Sequence, residues 1–263
     1  MKLDGQRVLI TNDDGIHAPG IRLLEKLVRR HTDDVWVVAP GEEHSGASHA
    51  ISMHDPVRVR KIDAHHFAIH GTPTDCALMG IYELMPEPPT LLLSGINWGE
   101  NLAEDLLYSG TAATAMEGAL LGIPSVAFSQ VHTYDEVHWE TAEAFLPRVL
   151  ERVLAAGIEP GTFVNVNFPP LAPNAVTGIR VTDQGRRAAG SFRPERRVDA
   201  RTRPYWWIKI TYLDRDQRQA GTDARVNTDL RAIAEGAVSV TPVQLDLTAR
   251  NLKQRFADAL KVE

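Results

Sequence analysis

The sequence predicts an α/β protein in which helices cover both faces of a mostly parallel, doubly wound sheet, so that the domain has three layers. Short apolar runs alternate along the chain with segments whose apolar residues recur at helical spacing. Residues 8–10, 21–28 and 35–39 form the first strand, helix and strand of this kind. Polar, glycine-rich segments follow the strands, as expected where the carboxyl ends of parallel strands form a binding edge.

The composition is that of a globular protein. The chain has 263 residues, of which 43% are hydrophobic and 24% charged, and its formal net charge is −6. This charge argues against binding nucleic acid over the whole surface, although it permits a local basic patch. Cys76 is the single cysteine, and no apolar stretch approaches the roughly 18 residues needed to span a bilayer. We therefore expect a cytoplasmic protein with no membrane partner.

Two adjacent carboxylates, Asp13 and Asp14, follow the first strand. Both can face one point only if the backbone turns sharply, and Gly15 permits such a turn. Like charges this close are costly without a cation, and oxygen ligands favour Mg²⁺, Mn²⁺ or Ca²⁺. A hard divalent metal is therefore the first hypothesis. The alternative is that one Asp caps the next helix, which begins about one turn further on, near Pro19 or Gly20.

The strand and helix pattern continues to the end of the chain. After the second strand, a loop containing Ser45 leaves the same edge of the sheet, and an ordinary surface loop is the alternative. Alternating runs at 57–62 and 67–69 predict an antiparallel excursion, followed by a helix capped by Thr74 or Asp75. The later predicted strands are 91–93, 125–128, 163–168 and 237–243, and the later helices are 112–121, 140–154 and 247–260.

Two further polar segments stand out, one after a strand and one before a helix. Asn97 follows the strand at 91–93 and offers either a neutral oxygen ligand or an Asx turn. Ser109, Gly110 and Thr111 precede an alanine-rich helix, whose free N–H groups and dipole attract anions, so we expect a phosphate there. An N-cap role for Ser109 or Thr111 is compatible with this site. The first strand is not followed by Gly-x-Gly-x-x-Gly and the chain has no Walker A sequence, which disfavours dinucleotide redox chemistry and P-loop hydrolysis.

An arginine-rich arm is predicted at 185–221, between a core of about 1–184 and a C-terminal strand and helix at about 222–263. The three parts are expected to form one domain. Basic residues beside Tyr205, Trp206 and Trp207 can bind a polyanion or pack on another subunit. We expect the arm to contribute to the oligomer and not to catalysis.

In combination, these motifs resemble the SurE family of stationary-phase survival proteins, which are metal-dependent nucleoside monophosphate phosphatases. The likeness covers nearly the whole chain, and the order of the motifs is far more specific than any one of them. The matching segments are 11–15 with 17–20, 38–40 with 45–48, 71–76, 94–97 with 99 and 101, and 108–111, with weaker matches at 165–169, 241–242 and 246–248.

The resemblance implies a Rossmann-like αβα sandwich with a protruding arm and a C-terminal extension. It further implies a homodimer or homotetramer formed through the arm and an exchanged C-terminal segment. One divalent ion per subunit, Mg²⁺ or Mn²⁺, would be held by Asp13, Asp14, Ser45 and Asn97.

The resemblance also implies a substrate and a phosphate position. Asn101, Ser109, Gly110 and Thr111 would line that position, and Asn101 and Ser109 would join the two aspartates as catalytic residues. The implied reaction converts a nucleoside 5′-monophosphate to nucleoside and phosphate, with 3′-nucleotides and short polyphosphate as further candidate substrates.

The residues leave alternatives open. One aspartate could accept the proton of the attacking water or could itself attack phosphorus, and His17 could protonate the leaving ribose oxygen. A non-catalytic nucleotide- or RNA-binding protein that uses the arm is the alternative function, although we expect no stable nucleic-acid complex. Two other classes of protein are disfavoured. A receiver domain is about half as long as this chain, and an aspartyl-phosphate phosphatase uses an Asp-x-Asp pattern that two adjacent aspartates do not provide.

Overall fold

The structure is a computed structural model that describes residues 3–133, 136–187, 192–210 and 227–260. Within these ranges we label the strands β1 to β11 and the α-helices α1 to α6. The strands are β1 (Val8–Thr11), β2 (Val35–Pro40), β3 (Arg58–Lys61), β4 (His66–His70), β5 (Leu91–Trp98), β6 (Ser125–Gln130), β7 (Thr162–Phe168), β8 (Gly178–Val181), β9 (Phe192–Val198), β10 (Pro204–Ile210) and β11 (Ala237–Gln244). The helices are α1 (Pro19–Val28), α2 (Pro73–Met79), α3 (Gly110–Leu120), α4 (Trp139–Ala156), α5 (Asp229–Ala234) and α6 (Arg250–Leu260).

Nine of these strands form one sheet in the order β3-β4-β2-β1-β5-β6-β7-β11-β8. The pairs within the sheet are parallel except β3 with β4 and β7 with β11. The chain builds outward from β1 to β2 on one side and then from β5 to β7 on the other. The order reverses between β1 and β5, and the crevice at such a reversal is where ligands bind in open α/β sheets. The predicted three-layer fold is confirmed.

The two faces of the sheet are covered by different helices. Val8 and Ile10 of β1 pack in a cluster with α1 and α4, whereas Leu9 packs with α2 on the opposite face. The alternation follows from the two-residue period of a strand, and it explains why the run at 8–10 is apolar throughout. Helix α3 lies beside α2, and its Ala112 and Ala115 pack in a cluster with Ala127 of β6 and Phe163 of β7.

Helix α1 begins where it was expected, with Pro19 at its first position. Gly20 is required there by close packing, because a Cβ atom would lie 1.8 Å from the carbonyl oxygen of Ile96 in β5. This contact places the start of α1 against the end of β5. The loop that contains Asp13 and Asp14 connects β1 to α1, so it lies between the ends of β1 and β5.

Several predicted boundaries were wrong. β5 does not end at Leu93 but continues through Asn97 to Trp98, with an irregular register between Ser94 and Asn97. The run at 67–69 lies in β4, which pairs antiparallel with β3 as expected but parallel with β2. It therefore extends the main sheet.

One cap and one helix start also differ from the prediction. Thr72 caps α2, and the Asp75 carboxylate accepts a hydrogen bond from the Thr72 N–H in a capping box, so neither Thr74 nor Asp75 is the N-cap. Ser109 caps α3, which starts at Gly110, two residues earlier than expected.

The part of the chain after Gly185 is divided differently from the prediction. β9 and β10 form the expected hairpin, but Arg187 is buried and ion-paired rather than exposed with the other arginines of the arm. β8 and α5 were not predicted, and residues 211–221 of the arm lie outside the described ranges. Among the helices that the structure describes, none has the length and apolar character needed to cross a bilayer.

Candidate active site

A cavity lies at the reversal of strand order and collects most of the predicted site residues. Its lining comes from the ends of β1, β5 and β6, from the loop after β2, from the segment before α3 and from the arm. The lining residues are Asp13, Ser45, Gly46, Asn97, Trp98, Gly99, Glu100, Asn101, Asp105, Tyr108, Ser109, His132 and Phe192. Segments far apart in sequence are thus brought to one place by the parallel sheet.

Asp13 lies at the bottom of this cavity and is 4% exposed. Burial raises the pKa of its carboxyl group, while the Thr111 hydroxyl and the backbone of Gly110 and Thr111 favour the ionised form. The Thr111 hydroxyl donates a hydrogen bond to Asp13 Oδ1. Asp13 therefore lies beside the start of α3, which Ser109 caps, while α1 follows Ala18 without a side-chain cap, so the capping alternative considered from the sequence is wrong.

Gly110 is the contact point between Asp13 and α3. A Cβ atom at this position would lie 2.7 Å from Cβ and 2.9 Å from Oδ2 of Asp13. Any other residue would push the carboxylate away from the helix start. The predicted metal edge and the predicted phosphate turn are hence one packed unit.

Asp14 is oriented differently from its neighbour. Its Oδ2 accepts a hydrogen bond of 2.9 Å from the Trp98 N–H, and it does not line the cavity. Burial and the charge of Asp13 raise the pKa of Asp14 to about 7, and Glu43 adds to the rise. Among the described residues, no Lys or Arg forms an ion pair with either aspartate.

Asn97 and Ser45 supply the other predicted metal ligands. Asn97 Nδ2 donates to the Gly99 carbonyl at 3.0 Å, and its Oδ1 lies 3.4 Å from the Thr111 hydroxyl. The Ser45 hydroxyl donates to Glu43 at 2.8 Å. Three of the four predicted ligands therefore line one cavity, and the fourth is adjacent in sequence to one of them.

Ser109 has the N-cap role that the sequence allowed for it, and the phosphate position at this turn stays a prediction. Ser109 Oγ accepts a hydrogen bond of 2.9 Å from the Ala112 N–H, which confirms the N-cap. Ser109 lines the cavity, whereas Gly110 and Thr111 contact it through Asp13. Thr114 lies inside α3, where its hydroxyl donates to Ser94 Oγ at 2.6 Å.

Asn101 is held by a buried polar cluster that sequence reasoning did not assign. Its backbone N–H donates to Asn167 Oδ1 at 2.9 Å, and its carbonyl accepts from Asn165 at 2.8 Å and from Asn167 at 3.1 Å. Its Nδ2 donates to Ser129 Oγ at 2.9 Å. A signal was present, since two asparagines alternate with apolar residues in β7, a strand buried along most of its length. They position Asn101.

An ion pair anchors the chain between Asn101 and Ser109. Arg187 contacts Asp105 at 2.7 Å and donates to the Leu102 carbonyl at 2.9 Å. Both charged side chains are less than 10% exposed. Asp105 is one of the cavity residues, so the base of the arm supports one wall of the site.

Asp229 at the start of α5 supports the same segment. It accepts hydrogen bonds from the backbone N–H groups of Ala103 at 2.9 Å, Gly185 at 2.8 Å and Leu230 at 2.7 Å. Burial raises its pKa, against the effect of these donors and of nearby Arg187. The sequence contained no indication that so distant a residue reaches the site.

Aromatic and histidine side chains complete the cavity and were also missed. Trp98 lies 6.1 Å from His132 and Tyr108 lies 4.7 Å from Phe192, measured between ring centroids. His17, the proton donor considered from the sequence, is exposed and does not line the cavity, whereas His132 does.

The donors at this site fit a hard divalent cation. Two carboxylates, an amide oxygen and a hydroxyl match the oxygen ligands that Mg²⁺ and Mn²⁺ prefer. The burial of two like charges without a basic partner among the described residues is the feature that a cation would relieve. The described residues contain no group of three or more His, Cys, Asp or Glu placed to hold a metal.

Comparisons with known proteins point in the same direction. The sequence model of the family described as "Survival protein SurE" matches residues 8–191. A protein named 5′-nucleotidase SurE from Chelativorans sp. (strain BNC1) is 50% identical over 258 residues, covering 97% of this chain and 99% of that protein. A protein of the same name from Bradyrhizobium diazoefficiens is 49% identical over 260 residues, covering 97% of this chain and 100% of that protein.

The same family is found among solved structures. A crystal structure of the SurE protein from Aquifex aeolicus superposes with a TM-score of 0.80 at 38% identity. The match covers 96% of this chain and 98% of that one. The fold, the order of the motifs and these matches agree over nearly the whole length. The chain belongs to the SurE family.

Proposed function

We propose that this protein is a metal-dependent 5′-nucleotidase that hydrolyses nucleoside 5′-monophosphates to nucleoside and phosphate. One observation carries the proposal: Asp13 and Asp14 are adjacent, are withdrawn from solvent and pair with no basic side chain in the described structure, and Asp13 lines an open cavity at the start of α3. A cation neutralises the acids, and a helix start attracts an anion, so the site suits a metal ion and a phosphate together. The names of the relatives support the reaction class and the 5′ position.

Asp13, Asp14, Ser45 and Asn97 would hold one divalent ion per subunit, Mg²⁺ or Mn²⁺. When bound, such an ion supplies positive charge next to the phosphate and lowers the pKa of a bound water. The aspartates supply the negative charge that selects a cation. They also remain the candidates for accepting the proton of the attacking water.

Asn101, Ser109, Gly110 and Thr111 would receive the phosphate. Ser109 and Asn101 line the cavity, and both are held by neighbours that restrict their movement. Pre-oriented donors stabilise charge that develops on phosphate oxygens without having to reorganise during the reaction. Because His132 lines the cavity and His17 does not, His132 is the better candidate for protonating the leaving oxygen.

The homo-oligomer remains part of the proposal. The arm hairpin exposes apolar side chains, among them Trp206 and Ile208, at 55% and 68%. Burying such a surface against a second subunit would stabilise a dimer or tetramer. The cytoplasmic location expected from the single cysteine also stays a prediction.

A binding-only function through the arginines of the arm is less well supported. The acid pair is remote in sequence from those arginines, and an RNA-binding surface gains nothing from buried carboxylates. Metal-independent, salt-sensitive RNA binding in a filter assay, with no phosphate release, would favour it instead.

The proposed reaction is tested by measuring phosphate release. The purified protein is incubated with a panel of nucleoside 5′- and 3′-monophosphates and short polyphosphate, with Mg²⁺, Mn²⁺, Co²⁺ or Ca²⁺, and with chelator. We expect release from 5′-monophosphates that needs Mg²⁺ or Mn²⁺ and stops when the chelator is added.

The matched control is Asp14→Asn, prepared in the same way, which separates this activity from a contaminating phosphatase. It removes one charge from the acid pair and leaves the apolar core unchanged. Release that persists in chelator, or that the variant retains in full, would contradict a metal site at these aspartates.

A further inference from the structure

The cavity is lined by polar side chains and by two aromatic pairs. Asp13, Asn97 and Ser109 are among the polar residues. Trp98 and His132 stand together on one side, and Tyr108 and Phe192 form the other pair. His132 is the candidate proton donor named above, but the other three have no place in the chemistry of phosphate hydrolysis, so their clustering at the cavity needs a separate explanation.

Tyr108 is fixed by its backbone while its ring stays accessible. Its N–H donates to the Asp105 carbonyl at 2.9 Å, and its carbonyl accepts from the Ser48 N–H at 3.1 Å. The residue is nevertheless 47% exposed. A rigid backbone with an open aromatic face provides a stacking surface that costs little conformational entropy when a ligand binds.

Phe192 brings the arm to this surface. It is the first residue of β9, it is partly buried, and its ring centroid lies 4.7 Å from that of Tyr108 with the planes inclined at 59°. The remaining described arm residues do not line the cavity. The arm was expected to contribute to the oligomer and not to catalysis, and Phe192 shows that it also reaches the cavity.

The Tyr108–Phe192 pair is also the wall next to the proposed phosphate position. Tyr108 directly precedes Ser109, the cap of α3. Trp98 instead follows Asn97, and its N–H is bonded to Asp14, which places it on the metal side. A nucleotide whose phosphate lies at the start of α3 has its sugar and base within reach of Tyr108 and Phe192.

We infer that Tyr108 and Phe192 form a stacking wall for the nucleobase, so that the arm determines substrate preference through Phe192. The inference rests on the proposed nucleotidase function and adds which residues recognise the nucleobase of the substrate. Stacking on an aromatic face is tolerant of base identity, because every base has a π surface. We therefore expect discrimination between a nucleotide and a sugar phosphate rather than among bases.

The test compares two substrates that share ribose and phosphate. Hydrolysis of adenosine 5′-monophosphate and of ribose 5-phosphate is measured for the wild type and for Phe192→Leu. Loss of one stacking contact should lower kcat/KM for the nucleotide about tenfold, mainly through KM, and leave the sugar phosphate within about twofold. Phe192→Tyr keeps an aromatic face and should restore the nucleotide value.

Trp207→Leu is the matched control on the same hairpin. Trp207 is 64% exposed and pairs with Glu195, which puts it on the opposite face of the hairpin from Phe192. The Trp207→Leu variant should leave the ratio of the kcat/KM values for the two substrates unchanged. Light scattering on all variants shows whether the oligomer is the same.

Three results would overturn the inference. The first is an equal loss for both substrates in Phe192→Leu, which indicates a structural role. The second is an unchanged kcat/KM for both substrates in that variant. The third is a selective loss of kcat/KM for the nucleotide in Trp98→Leu instead of in Phe192→Leu. A wild type that hydrolyses neither substrate with Mg²⁺ or Mn²⁺ would instead refute the proposed function, and the two failures are distinguishable.

Discussion

The acid pair after β1 and the carboxylate of Asp229 are both buried, yet their surroundings differ. Burial raises the pKa of all three groups. Asp229 accepts three backbone hydrogen bonds and lies near the positive charge of Arg187. Asp14 accepts one backbone hydrogen bond from Trp98 and faces the negative charges of Asp13 and Glu43.

The difference shows how to separate a structural carboxylate from a ligand-binding one. Burial by itself is common to both, so it does not identify a metal site. What distinguishes them is the sign of the charge nearby and the number of donors aimed at the carboxylate. Asp229 joins three chain segments, whereas the acid pair leaves negative charge for a cation to balance.

The largest effect is expected from removing charge at the acid pair. Asp13→Asn should lower kcat/KM about a thousandfold, about 4 kcal/mol of transition-state stabilisation, because a neutral amide no longer holds the cation. The fold should survive, since the apolar core is unchanged. Phosphate release and circular dichroism report the two properties.

Asp33→Asn is the control for this variant, because Asp33 is exposed and far from the cavity. It should retain wild-type activity. Full activity of Asp13→Asn at the same metal occupancy, measured by calorimetry, would remove the distinction between the two regions.

The second effect concerns stability. Asp229→Ala leaves three buried N–H groups without an acceptor and should lower the free energy of unfolding by about 3 kcal/mol. The acid pair is untouched, so the folded variant should still bind Mg²⁺. Urea unfolding gives the first quantity and calorimetry below the unfolding range gives the second.

Asp229→Asn preserves a side-chain oxygen and should be milder than Asp229→Ala. A variant that keeps full stability but loses metal binding would mean that Asp229 acts on the ion and not on the segment at 102–105.

The smallest effect is a pH dependence of the metal-free protein. The folded pKa of Asp14, about 7, exceeds its ordinary value of 3.8, so the folded state binds more protons between these values. Stability should therefore fall as the pH rises through this window, by about 2 kcal/mol between pH 5 and pH 7. Urea unfolding in chelator at the two pH values measures it.

Two comparisons sharpen this test. Asp14→Asn should flatten the slope, and so should saturating Mg²⁺, because the ion binds the ionised acids. The contribution of Asp229, which has the same sign, persists in both cases. A slope that is unaffected by the variant and by the ion would assign the pH dependence to Asp229 alone.

Much of the architecture could be predicted because it depends on local patterns. The apolar run at 8–10 and the helical spacing at 21–28 determine β1 and α1 through burial of both strand faces and one helix face. The carboxyl-end rule then placed Asp13 and Asn97 at one edge, the helix-start argument added Ser109, and the structure brings these three together.

The errors arise where a tertiary contact overrides a local signal. Asn97 was predicted to follow its strand, but pairing with β6 extends β5 through it. Arg187 was grouped with the exposed arginines, but Asp105 lies where it can pair with the guanidinium in the interior. Strand β6 is remote in sequence from Asn97, and Asp105 is remote from Arg187, so no local periodicity could have revealed either contact.

By itself, the sequence determined most of the order of strands and helices, the acid pair, the presence of a helix after Ser109 and the family resemblance. Only the tertiary structure decided that Asp13 packs on Gly110, that Asp229 supports the loop at 102–105, and that Phe192 of the arm reaches Tyr108. The physical reason is that apolar periodicity is a pattern among residues that are neighbours along the chain. Charge balance and ring stacking in the cavity act between segments that the sheet brings together from distant positions.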